Sequence, residues 1–127
     1  MNTLMLLAVG AGGFLGAISR FFLSTGVQRF TGTAFPYGTL AVNVVGSFLI
    51  GFLFLYFEHT ISPNQKALLI TGFLGALTTF STFSLETVLM LQNQLYMKAL
   101  ANVSLNAILC VSATMIGMMV FRRVYGV

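Results

Sequence analysis

Apolar residues fill four long runs of this chain, at about 3–23, 35–57, 67–91 and 99–121, and polar residues gather in the gaps at 24–34, 58–66 and 92–98. Each run is long enough to cross a hydrocarbon layer of about 30 Å as an α-helix. The gaps hold residues suited to tight connections. Pro36 fits the first turn of the second helix, where its missing N–H is harmless, and Ser62, ahead of Pro63 and Asn64, is a candidate cap for the third. The pattern predicts an all-α fold, a single integral membrane domain over 1–127 with four spans and no room for a soluble domain.

Polar residues inside the runs mark the faces that turn away from lipid. Thr39, Asn43 and Ser47 recur every fourth residue in the second helix, and Asn102, Asn106, Cys110 and Thr114 do so in the fourth. Such stripes serve interhelical hydrogen bonds, worth about 0.6–2 kcal/mol each in a membrane, or line a polar path. Gly12 and Gly16 share one face of the first helix and permit close helix approach.

The third run contains Gly72-Phe73-Leu74-Gly75-Ala76-Leu77-Thr78-Thr79-Phe80-Ser81-Thr82-Phe83. Adjacent β-branched threonines beyond a glycine are poor helix formers, so this helix is expected to break near its middle. Irregular backbone at membrane depth is tolerated where protein buries it or water and ions replace the missing partners. Unwound carbonyls suit a small hard cation, while free amides and the N-terminus of the following half-helix suit an anion. Phe80 and Phe83, three apart, are packing residues or rings whose positive edges meet an anion beside the donors Ser81, Thr82 and Asn43. Glu86 is the one acid inside the spans; it is a partner for a base, a backbone cap, or the titratable group of a proton-coupled antiporter. Arg20 either attracts anions at a vestibule mouth or snorkels to the interface.

Composition agrees with lipid as the main solvent: 57% hydrophobic and 6% charged residues, with a mean hydropathy of +0.96. The net charge of +4 comes from six basic residues scattered at helix ends, with no basic stripe for nucleic acid. The first run is Gly-rich, has no Lys or Arg ahead of it and reads as a retained span, not a signal peptide. Cys110, the only cysteine, has no disulfide partner and no neighbour at zinc-ligand spacing, and reads as packing. If the helices alternate sides, Lys66, Arg122 and Arg123 face Arg20, Arg29 and Lys98 across the membrane, three against three. Basic residues therefore set no preferred orientation, which permits insertion both ways and an antiparallel dimer with inverted-repeat geometry.

Three segments together carry a family resemblance: Gly12-Gly13-Phe14-Leu15-Gly16-Ala17-Ile18-Ser19-Arg20, then Gly38-Thr39-Leu40-Ala41-Val42-Asn43-Val44-Val45-Gly46-Ser47-Phe48, then Gly72-Phe73-Leu74-Gly75 leading into Thr78-Thr79-Phe80-Ser81-Thr82-Phe83. They resemble the signatures of the Fluc (CrcB) fluoride channels along essentially the whole chain. The resemblance implies a channel, not an enzyme: a dual-topology antiparallel homodimer in the bacterial inner membrane, surrounded by lipid, passing fluoride passively outward through two pores. It assigns Phe80, Phe83, Asn43, Ser81 and Thr82 to the fluoride pore and continues the polar track along the fourth helix, where Asn106 and Thr114 lie; the stripe shared with Asn43 adds Thr39 to the expected pore, and Arg20 is expected at the vestibule. It also implies a structural sodium ion at the dimer interface, held by backbone carbonyls of Gly75 and Thr78 from both subunits. Family members commonly carry Tyr and Ser where this chain has Asn102 and Asn106. The alternative is a proton-coupled antiporter of the small multidrug-resistance type, which needs a carboxylate in the first helix; that helix has none.

Overall fold

The computed structural model describes all 127 residues and is helical throughout, without strands. Helix α1 spans Thr3–Thr31 and starts where Asn2 Oδ1 accepts the Met5 N–H at 2.8 Å. It runs well past the first apolar block. Ser24 and Thr31 donate their hydroxyls to the carbonyls of Arg20 and Val27 one turn back, so neither polar side chain interrupts the helix. The helix ends only at Gly32, whose φ of +85° belongs to glycine.

The first connection is therefore shorter than the polar gap suggests, and one side chain ties it. Gln28 donates to the carbonyls of Gly32 and Phe35, and its Oε1 accepts the Gly38 N–H at 3.1 Å. Lys98 adds a bond from Nζ to the Ala34 carbonyl at 3.0 Å. Helix α2, Tyr37–His59, begins after Pro36, which precedes the first turn instead of occupying it. Helix α6, Tyr96–Tyr125, also outruns its apolar block at both ends.

Between them the third span changes character repeatedly. Helix α3, Pro63–Lys66, follows Ser62, whose side chain makes no capping bond. A π-helical segment occupies Ala67–Leu74, α4 is the single turn Gly75–Leu77, and α5 covers Phe80–Gln92. Thr78 (φ −84°, ψ 156°) and Thr79 (φ −149°, ψ 111°) are extended.

Two helix pairs dominate the packing, α2 with α6 and α1 with the π-helical segment. In the second pair backbone meets backbone: a Cβ on Gly12 would strike the Leu68 carbonyl, and one on Gly16 the Phe73 carbonyl. Only 21 of 127 residues are buried, while large apolar side chains such as Phe22 and Leu7 face outward. In water that surface would aggregate; the four helical spans, each long and apolar enough to cross a membrane, place it against lipid.

Candidate ion site

Where α4 gives way to α5, the backbone of Thr79 has no helical partner and finds one on α2. Its N–H donates to Asn43 Oδ1 at 2.8 Å, and its carbonyl accepts from Asn43 Nδ2 at 3.2 Å. A primary carboxamide matches a peptide unit donor for acceptor, so one side chain satisfies both groups. In a continuous helix that N–H would have served the Gly75 carbonyl. Gly46, one turn along α2, clears space for Thr78, whose Cγ2 lies where a Cβ would sit. Thr79 Oγ1 in turn caps α5, accepting the Thr82 N–H at 3.2 Å.

Beside this junction lies a cleft of about 620 Å³ between α2, the third span and α6. Gly75, Thr78, Asn43, Asn106, Phe80 and Phe83 all line it, and no lining residue is charged. The rings of Phe80 and Phe83 lie 5.4 Å apart at 54°, with Phe80 78% exposed and Phe83 half-buried. The cleft thus combines carbonyls, amides and aromatic edges in an apolar wall, a combination able to replace an ion's hydration shell without a fixed charge.

Other candidates lie around it. Ser81 and Thr82 lie on α5 and, with Thr79, form a hydroxyl cluster at 3.0–3.4 Å, outside the cleft lining. Thr114 donates to the carbonyls of Ser47 and Cys110, tying α6 to α2. Arg20 is half-buried in α1, and its carbonyl accepts the Ser24 hydroxyl. Thr39 is buried, and its hydroxyl donates to Glu86 Oε1. The partner of Glu86 is therefore a hydroxyl on α2, neither a base nor a backbone cap. Cys110 lines the cleft as well as packing.

Thr87 escaped the sequence reading. It accepts from Asn102 Nδ2 at 3.0 Å and donates to the Phe83 carbonyl at 2.8 Å. Thr79, Phe83 and Thr87 are spaced by four, the same rule that exposed the stripes of the second and fourth helices, so the signal was present.

The profile of the family described as CrcB-like protein, Camphor Resistance (CrcB), matches residues 7–118. The chain belongs to that family. Among CrcB relatives, a fluoride-specific ion channel FluC from a Sulfurovum species is 64% identical over 99% of this chain and 100% of its own. One from a Nitratiruptor species is 57% identical over 99% and 98%. A third, from Campylobacter lari, is 49% identical over 92% and 97%. Four apolar spans and this membership make the chain a multi-pass membrane protein.

Proposed function

We propose that this chain is a fluoride-selective channel that lets fluoride leave the bacterial cytoplasm passively across the inner membrane. The observation that carries the reading is 57% and 64% identity, over 99% of this chain, to relatives named fluoride-specific ion channels. The uncharged cleft supports it chemically. Fluoride is small and tightly hydrated, and hydroxyls, amides and ring edges in a narrow passage offer what its water shell offered. Asn43, Phe80, Phe83 and Asn106 line that passage, Ser81, Thr82, Thr39 and Thr114 extend its polar surroundings, and Arg20 draws anions to the mouth. A negative interior favours exit by about 2.3 kcal/mol per charge for each 100 mV, so no coupling reaction is required.

The working unit is an antiparallel homodimer with two pores. Phe80 lines the cleft and is largely exposed in the single chain, a face that a second, inverted copy would cover. The balanced basic residues allow both orientations. Labelling a single terminal cysteine in a Cys110→Ser background should then find that terminus on both sides of one membrane; labelling from one side alone would sink the inverted dimer.

A structural sodium ion fits the carbonyl side of the junction. The Thr79 N–H is committed to Asn43, and Gly75 is exposed where it and Thr78 line the cleft. Two carbonyls from each subunit would give the oxygen-only shell that a hard cation requires, and the bound ion would add fixed positive charge near the anion path.

Purified protein in liposomes tests the function. Fluoride efflux far above that of empty vesicles is expected, with chloride retained, and exhaustive sodium removal should lower the rate. Empty-vesicle behaviour would refute the channel; indifference to sodium would remove the ion from Gly75 and Thr78.

A further inference from the structure

The side chains behind the cleft form a directed chain of hydrogen bonds. Asn43 has two amide protons; one goes to the Thr79 carbonyl and the other to Asn106 Oδ1 at 3.1 Å. Asn106 then spends its own NH₂ on Asn102, reaching the backbone carbonyl at 2.9 Å and Oδ1 at 3.1 Å. Asn102 donates to Thr87 Oγ1 at 3.0 Å, and Thr87 to the Phe83 carbonyl at 2.8 Å. The chain leaves the third span at Thr79, crosses α2 and α6, and returns to the third span at Phe83.

Its polarity is fixed. Turning the Asn106 amide over would set its NH₂ against the NH₂ of Asn43 and its oxygen against the two oxygens of Asn102. Asn102 and Asn106 are buried, 1% and 8% exposed, so water cannot repair such a reversal cheaply. Asn43, Asn106 and Thr79 line the cleft, whereas Asn102 and Thr87 do not.

We infer that Asn102 and Thr87 are positioning residues that, through Asn106, decide how many donors the cleft presents to the anion. This rests on the reading of the cleft as a fluoride path. With the relay intact, every carboxamide proton of Asn43 and Asn106 is held by a protein acceptor. An anion gains an Asn43 proton without breaking the bond to the Thr79 carbonyl by displacing Asn106 Oδ1, which takes the proton back as the ion leaves. The relay thereby weakens the hold on each ion and favours its release. Losing the Asn102 side chain, or the Thr87 hydroxyl that holds its carboxamide in place, leaves the Asn106 NH₂ with the Asn102 backbone carbonyl alone; its second proton is then free for the ion, which is held more tightly.

Asn102→Leu and Thr87→Val cut the relay at successive links without altering the cleft lining. In liposomes each should lower the half-saturating fluoride concentration about 2- to 10-fold, the worth of one hydrogen bond, and reduce maximal flux. Because the links are in series, the double variant should shift no further than the stronger single one. A structural effect alone would reduce the number of active channels and leave half-saturation unchanged. That result, a raised half-saturation, or full additivity overturns the inference. If Asn102→Leu does not fold, Thr87→Val, close to threonine in shape, decides alone. A second readout needs no ion flux: amide exchange at Thr79 should accelerate at least about threefold in Thr87→Val, as expected when one hydrogen bond in its support is lost, and wild-type exchange there overturns the relay. Wild-type liposomes without fluoride efflux would refute the channel reading instead, and Thr79 exchange would still judge the relay.

Discussion

Asn43→Leu will reduce fluoride efflux about a hundredfold or more while leaving a folded membrane protein. Leucine keeps the γ-branched shape of asparagine, in a somewhat larger volume, but offers no hydrogen bond. Three bonds disappear together, the two to the Thr79 peptide unit and the one to Asn106. Each is worth about 0.5–1.5 kcal/mol, and the orphaned Thr79 N–H adds about 1–3 kcal/mol of desolvation cost. The junction then has reason to rearrange, toward a continuous helix in which that N–H returns to Gly75, and the placement of Phe80 and Phe83 goes with it. Efflux from liposomes measures the loss. Retention of more than about a tenth of wild-type flux would mean that the extended Thr78–Thr79 backbone keeps its shape without Asn43.

Gly16→Val will prevent the protein from folding at all, while changes at two other glycines will pass unnoticed. A Cβ at Gly16 strikes the carbonyl oxygen of Phe73 and comes within 2.9 Å of its carbon. Those atoms are backbone and cannot rotate away. Even Gly16→Ala should cost about 1–3 kcal/mol through overpacking, and valine adds two further carbons to the clash. By contrast, Gly10 and Gly26, on the same helix, face open space. Alanine there should be neutral or mildly stabilising by helix propensity. Thermal unfolding of detergent-purified protein separates the cases; a Gly16→Val variant with wild-type stability would show that α1 can withdraw from the π-helical segment without loss.

Four spans are legible in the sequence because hydropathy and length are local properties, and the stripes of α2 and α6 because a spacing of four is local too. Span ends are not. Ser24 has the look of a connecting residue, yet a hydroxyl in a membrane helix bonds to its own preceding turn, and no composition rule separates the two uses. Partners are harder still. That Asn43 meets Thr79 and Asn106, or that Glu86 meets Thr39, depends on how far each helix is rotated against the next. For the third span that rotation is set by the π-helical segment, whose i to i+5 bonding no residue pattern announces. The Gly72–Phe83 stretch is conspicuous, but its chemistry stays ambiguous until the peptide of Thr79 is seen held by a side chain from α2.

The π-helical turns between Ala67 and Leu74 also bear on how such a chain can change over generations. Widened turns accommodate a surplus residue, and a single insertion or deletion there would swing everything downstream by roughly 100° about the helix axis. The bearing of Phe80 and Phe83 is thus adjustable by chain length, at a distance, with neither ring substituted.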